Sequence, residues 1–246
     1  MNLFEYESGR KLEKEAPLAA RVRPTTLEAF AGQEHIVGKD KLLYRAIQAD
    51  KLSTIILYGP PGTGKTTLAK IIANTPKSHF TQLNATTSGI KDITETVEEA
   101  KSTLTIQGKR TILFIDEIHR INKTQQDALR PHVENGTVIL IGATTDNPYF
   151  EVNKALISRS IVFQLKPLNQ QNIVQLMKDA LSDDENGLGM INIKVTDEAL
   201  SFIADMAGGD ARRALNALEL AALTTMPDEN GQVCVNMDVA QECIQR

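Results

Sequence analysis

Two cysteines in 246 residues, Cys234 and Cys243, are too few and too late in the chain for a disulfide framework or a metal cluster. They read as free thiols in a reducing compartment. The four histidines, His35, His79, His119 and His132, stand at no metal-ligand spacing either and read as structural. No apolar run approaches the ~20 residues needed to span a bilayer. The opening stretch MNLFEYESGRKLEKEAP mixes charged and apolar residues where a signal peptide needs a continuous apolar core. These absences predict a soluble, intracellular protein with no membrane partner. An excess of positive charge is also missing: 27 Lys and Arg against 31 Asp and Glu leave a formal net charge of -4. That argues against coating nucleic acid with the whole surface but leaves room for a local basic groove, because clustered Lys and Arg set such a contact. There is no internal repeat and no low-complexity tract. The remaining composition, 41% hydrophobic and 24% charged, is that of an ordinary globular chain with room for one large or two small domains.

Five short segments rich in β-branched residues stand out: TIILY (54–58), HFTQLNA (79–85), RTILFID (110–116), VILIGAT (138–144) and IVFQL (161–165). Three are continuous apolar runs, as expected of strands buried on both faces of a parallel sheet. Between them Ile90, Ile93, Val97, Ala100 and Leu104 recur at helical spacing. Strand alternating with helix predicts an α/β domain with a five-stranded parallel sheet sandwiched by helices. After Pro167 the strand pattern gives way to helical periods at 173–181, 200–204, 211–223 and 238–244. Thr196 suits a helix N-cap, with Asp197 and Glu198 in the first turn. The predicted division is an α/β domain of residues 1–167 and a small all-helical lid domain of residues 168–246.

GPPGTGKT follows the first strand and opens the helical run TLAKIIA, the context that a phosphate-binding loop requires. The candidate loop residues are Gly59, Pro60, Pro61, Gly62, Thr63, Gly64, Lys65, Thr66 and Thr67. Gly62 and Gly64 let the backbone curl so that successive N–H groups face phosphate oxygens. The helix N-terminus adds its positive dipole end. Lys65 reaches the β- and γ-phosphates, and the Thr66 hydroxyl ligates Mg²⁺. The apolar strand ILFIDE ends on Asp116 and Glu117. At the carboxyl edge of a parallel sheet Asp116 suits the Mg²⁺ shell, and Glu117 suits the orientation of an attacking water. That pair favours ATP hydrolysis over phosphoryl transfer by a metabolic kinase.

With both motifs in place, the chain resembles the AAA+ P-loop ATPases related to clamp loaders, and within them the replication-associated recombination protein A group. The likeness rests on RVRPTTLEAFAGQEHIVG (21–38), DEIHRINKTQQDAL (116–129), IGATTDNPYFEVNKALISRS (141–160) and GGDARRALNALE (208–219), in that order and spacing. The resemblance implies an adenine-pocket segment within residues 1–38, with Val22, Pro24 and Ile36 as its contacts. For Ile36, core packing is the alternative. It implies a sensing hydroxyl at Thr145 or Thr144, with Asn147 a weaker candidate. It implies a trans-acting arginine finger at Arg159 and a γ-phosphate reporter at Arg212 in the helical domain. Arg130 departs from the apolar residue expected there, as a solvated helix-end charge or an interface contact.

The implied function is a DNA-stimulated ATPase that uses ATP and Mg²⁺ and acts in replication-fork maintenance and recombination. Single-stranded or junction DNA and replication proteins such as single-strand-binding protein are its implied partners. The implied setting is cytoplasmic and nucleoid-associated. A clamp-loader-type subunit and a nucleotide-binding interaction module without turnover are the alternatives. Members of the group carry a further helical region for homo-oligomerisation, so the resemblance reads this chain as the ATPase module. The loop TTSGIKD (86–92) with Lys91, and Arg120 and Lys123, are the candidate phosphate contacts to DNA, with solvated loop charge as the equal alternative.

Overall fold

The computed structural model describes residues 15–74 and 78–244; residues 1–14 of the expected first domain and of its adenine-pocket segment lie outside them. In chain order the elements are α1 (Leu18–Arg21), α2 (Glu34–Val37), α3 (Leu42–Gln48), β1 (Thr54–Tyr58), α4 (Lys65–Ala73), β2 (Ser78–Asn84), α5 (Ile90–Gln107) and β3 (Arg110–Asp116). A 3₁₀ turn (Ile118–Arg120) leads to α6 (Lys123–Glu134), β4 (Val138–Thr144), α7 (Pro148–Glu151), α8 (Lys154–Ile157) and β5 (Ser160–Gln164). Then come α9 (Gln170–Ser182), β6 (Ile193–Val195), α10 (Asp197–Met206), α11 (Ala211–Thr224), β7 (Val233–Val235) and α12 (Met237–Cys243). The chain forms two compact units, one of Pro24–Lys166 and the other of residues 15–23 with 167–244 among those described.

The first unit is a five-stranded sheet in the order β2-β3-β4-β1-β5, with every pairing parallel. Burial explains the order. All seven residues of β4 are buried, as are five of β3 and four of β1, and these are the central strands. The edge strands β2 and β5 are only half buried. Successive side chains of a strand leave on opposite faces, and the apolar residues sort accordingly. Ile55, Leu57, Ile112, Phe114, Ile139 and Ile141 pack with Leu68 and Ile72 of α4. Ile56, Leu113, Ile115, Val138 and Leu140 pack with Ile93 and Val97 of α5 and Leu129 and Val133 of α6. Of the predicted apolar face of α5, Ile93, Val97 and Ala100 are buried, while Ile90 and Leu104 in the terminal turns are exposed. The resulting layers match the predicted sheet and its flanking helices.

The second unit has one core, built from Ile173 and Met177 of α9, Leu200 and Ile203 of α10, and Leu215 and Leu218 of α11. Thr196 caps α10, its hydroxyl accepting the Ala199 N–H at 3.2 Å. Two features differ from the expected all-helical domain beginning after residue 167. First, β6 and β7 form a two-stranded parallel ladder, Ile193 opposite Val233. Three-residue strands are too short to produce a readable period. Second, residues 15–23 belong to this unit. Leu18 is fully buried in its core, and Arg21 pairs with Glu219 of α11 at 2.9 Å while donating to the Asn186 carbonyl at 2.8 Å.

Candidate nucleotide site

Parallel strands bring their carboxyl ends to one edge of a sheet, where ligands of open α/β folds bind. Here that edge gathers the loop after β1, the Asp116–Glu117 pair after β3 and Thr144–Thr145 at the end of β4. The loop is pinned at its start, because the Gly59 N–H donates to the Thr144 carbonyl at 3.2 Å and the Leu165 N–H to the Tyr58 carbonyl at 2.8 Å. A side chain at Gly59 would strike the Leu165 carbonyl, its Cβ falling 2.3 Å away. Gly64 adopts φ +96, and a Cβ there would lie 2.7 Å from the Phe30 ring. The approach of Phe30 to the loop is a feature that sequence reasoning missed.

Helix α4 begins at Lys65 with Gly64 as its N-cap. The first-turn N–H groups of Lys65, Thr66 and Thr67 therefore have no intrahelical acceptor and suit an anion. The Lys65 side chain is 8% exposed, and its ammonium donates to the Gly59 and Pro60 carbonyls at 2.7 and 2.8 Å. Thr63 is buried, and its hydroxyl donates to the same Pro60 carbonyl at 2.9 Å. Pro60 and Pro61 are exposed on the outer curve of the loop. The Thr66 hydroxyl donates to Asp116 Oδ2 at 3.2 Å, joining the loop to the end of β3 across 50 residues of sequence. A hydroxyl and a carboxylate at this distance form the oxygen donor set that a small hard cation such as Mg²⁺ takes, with water completing its shell.

Glu117 leaves the strand in a left-handed conformation, φ 54, and starts the 3₁₀ turn. That turn brings His119 Nε2 to 3.4 Å from Glu117 Oε2 and 3.5 Å from Asp146 Oδ2. Its Nδ1 is 2.8 Å from the Thr144 hydroxyl. His119, expected to be structural, thus stands at the centre of the strand-end cluster. Its place two residues after Glu117 was the signal available. Thr144 is fully buried, whereas Thr145 is exposed, with its hydroxyl 3.4 Å from Asp146 Oδ1. Asn147 is taken up in capping α7, accepting the Tyr149 N–H at 3.1 Å.

Arg159 stands apart from this edge. Arg159 directly precedes β5, whose first residue, Ser160, pairs with Thr54 at the start of β1. Arg159 is therefore at the amino end of the sheet, five strand residues or roughly 16 Å from the loop. There it is 45% exposed and 3.2 Å from Glu134 Oε1, which also accepts from Arg130 Nε at 2.8 Å. Val22 packs on the core of the helical unit. Pro24 opens the α/β unit. Ile36 is 3% exposed in the core with Phe30 and Leu68. Arg212 is exposed in the first turn of α11. Lys91, Arg120 and Lys123 are exposed, and Gln125 Nε2 donates to the Ser88 carbonyl at 2.9 Å, tying the 86–92 loop to the start of α6.

Residues 55–168 match the family described as "ATPase family associated with various cellular activities (AAA)", and residues 189–246 match the AAA C-terminal domain. The chain belongs to the AAA+ ATPases. Over 94% of its length it is 45% identical to replication-associated recombination protein A of Bacillus subtilis (strain 168), and over 92% it is 47% identical to the protein of that name from Escherichia coli (strain K12). It covers 53% and 50% of those two proteins, so it spans about half the length of the curated relatives it matches. ATPase WRNIP1 of Dictyostelium discoideum is 46% identical over 89% of the chain, which covers 25% of that protein. Among solved structures, the RuvB Holliday junction branch migration motor of Thermotoga maritima superposes with a TM-score of 0.67 at 27% identity, covering 91% of this chain and 72% of the other. Among the described residues, no helix is long and apolar enough to cross a membrane.

Proposed function

We propose that the chain binds ATP with Mg²⁺ on the 59–67 loop and hydrolyses it to ADP and phosphate, with the active site completed by Arg159 of a neighbouring copy. The observation that carries the nucleotide chemistry is the meeting of Lys65, Thr66 and Asp116 at one sheet edge, with Glu117 one residue further on. On binding, the β- and γ-phosphates take over the Lys65 ammonium from the Gly59 and Pro60 carbonyls. Thr66 and Asp116 would hold Mg²⁺, which would supply positive charge to offset that of the phosphates. Glu117 orients a water whose oxygen attacks the γ-phosphorus; the bond to the β–γ bridging oxygen breaks, and the electron pair leaves with ADP. Thr145 is favoured over Thr144 as the sensing hydroxyl, because Thr144 is fully buried and already hydrogen-bonded. Arg212 retains the reporter role on resemblance alone, as Val22, Pro24 and Ile36 retain the adenine contacts.

The trans role of Arg159 is supported by its place at the far end of the sheet from its own loop. A guanidinium there cannot reach phosphates bound in the same chain, since even an extended Arg side chain spans well under the roughly 16 Å of strand between them. The relatives' names support a setting in replication and recombination, and the family resemblance extends it to DNA-stimulated turnover on single-stranded or junction DNA, in a homo-oligomer working beside single-strand-binding protein in the cytoplasm. ATPase rates measured with and without single-stranded DNA test this reading. Stimulation, with a DNA affinity that falls steeply as salt rises, is expected for phosphate contacts. Turnover indifferent to DNA at low salt would remove DNA from the proposal, and absence of turnover at every protein concentration would leave a binding module.

A further inference from the structure

We infer that His119 is a positioning residue that aims the Glu117 carboxylate and links it to the sensing end of β4; the inference rests on Glu117 being the water-orienting group. Thr144 partners one ring nitrogen, and the two carboxylates facing the other accept hydrogen bonds and so call for the ring's proton there. The Thr144 hydroxyl oxygen already accepts the Asp146 N–H at 3.0 Å. Nδ1 of His119, 2.8 Å away, then receives the hydroxyl proton, which gives both Thr144 and Nδ1 a partner. With Nδ1 an acceptor, the ring donates through Nε2. That N–H points between two carboxylates, Oε2 of Glu117 at 3.4 Å and Oδ2 of Asp146 at 3.5 Å.

Both distances exceed the ~2.7–3.2 Å of a closed N–H···O bond. The ring, whose side chain is 12% exposed, is the fixed party, while the two carboxylates are 36% and 54% exposed and free to close on it. Among the described residues, His119 is the basic side chain that faces the Glu117 carboxylate, at 3.4 Å. Asp146 is the direct neighbour of Thr145, whose hydroxyl lies 3.4 Å from the other Asp146 oxygen. A phosphate oxygen that draws the Thr145 hydroxyl away changes what Asp146 bonds to. The Nε2–H is then shared differently between Asp146 and Glu117. His119 thereby couples occupancy at the end of β4 to the aim of the carboxylate at the end of β3. The fixed side of the coupling is the buried Thr144 bond, which keeps the ring from following either carboxylate.

The test compares His119→Ala, His119→Gln and His119→Asn with Glu117→Gln as the control, at protein concentrations where turnover of the full chain is measurable. Steady-state kcat and KM are read beside MgATP affinity from a fluorescent-nucleotide titration. Misplacing a reacting group by about an ångström costs on the order of a hundredfold in rate. His119→Ala is therefore expected to lose roughly tenfold to a hundredfold in kcat, with KM and nucleotide affinity within about twofold of wild type. His119→Gln is expected to restore turnover, because its terminal amide reaches the place of Nε2 and still donates toward Glu117. His119→Asn, whose amide replaces only the Thr144 side of the ring, is expected not to. Unchanged kcat in His119→Ala beside an inactive Glu117→Gln overturns the positioning role. So does rescue by Asn equal to that by Gln, or a parallel loss of nucleotide affinity and thermal stability in all three variants, which marks a merely structural histidine. Full turnover by Glu117→Gln overturns the assignment of Glu117 itself, a separate result.

Discussion

At the carboxyl end of the sheet Lys65, Thr66 and Asp116 are held by one another and by the loop, whereas at the amino end Arg159 stands half exposed on a carboxylate it shares with Arg130. The first arrangement is a socket. Its glycines are fixed by backbone and ring contacts, and its lysine is nearly buried. Burial there preorganises the donors, so little has to move when charge develops on a phosphate. The second arrangement is a plug. Exposed ion pairs are weak because water competes for both partners, so Arg159 leaves Glu134 readily for a stronger anion. Under the proposed function, one fold carries both halves of an active site at opposite ends of the same sheet. In that proposal, neighbouring copies complete each other when the amino end of one meets the carboxyl end of the next.

Removing the plug is expected to have the largest effect. Trans-acting arginines contribute about 10³–10⁵ in rate to related phosphoryl transfers, so Arg159→Ala is expected to reduce turnover toward the level of isolated chains. Wild-type specific activity is expected to rise with protein concentration, because the two halves must meet. Mixing Arg159→Ala chains with Glu117→Gln chains should recover activity, since one kind of mixed interface pairs an intact Glu117 with an intact Arg159. Turnover independent of concentration that survives Arg159→Ala would place both halves in one chain and dissolve the comparison.

Damage to the socket separates binding from chemistry. Lys65→Ala removes the cation facing the β- and γ-phosphates, and nucleotide affinity is expected to fall on the order of a hundredfold, the weight of charge-assisted bonds. Glu117→Gln keeps the loop intact and is expected to bind ATP normally while losing about 10²–10⁴ in kcat. Calorimetric titration with ATP distinguishes the two. Equal affinity in Lys65→Ala and wild type would mean that the loop is not the phosphate site.

The socket was far more legible in the sequence than the plug. A loop of fixed spacing after a β-branched run, and a carboxylate pair ending another, are local patterns, and the five strands appear within one residue of their expected bounds. What was not legible depends on long-range packing. Phe30 against Gly64 joins positions 34 residues apart through the core, and no local pattern foretells it. Residues 15–23 read as the start of the α/β domain, yet Arg21 finds its partner in Glu219. His119 fits no ligand spacing because its partners, Thr144 and Asp146, come from another strand end. Thr144 and Thr145 are alike in sequence, and only strand geometry makes one buried and the other exposed.

The mildest expected effect comes from the carboxylate that holds the plug. The Glu134 carboxyl lies below its ordinary range, chiefly through its hydrogen bond from Arg130, with Arg159 adding attraction and burial opposing. A depressed carboxyl contributes at any pH above its unfolded value and loses that contribution only as pH falls through the folded one. Across the neutral range, therefore, Glu134 stays ionised and its hold on Arg159 does not change with pH. Glu134→Gln leaves shape and removes charge, so Arg159 samples more directions before it meets a neighbour. The expected loss in concentration-dependent turnover is up to about fivefold, the scale of an exposed ion pair, and it should shrink as salt screens the wild-type pair. Arg130→Leu is expected to do less, because Arg159 then has the carboxylate to itself. ATP affinity should be unmoved in both variants, since the socket lies at the other end of the sheet. A loss in Glu134→Gln as large as that of Arg159→Ala would mean that Glu134 itself enters the neighbour's site, and altered ATP affinity would mean that the two ends of the sheet are not independent.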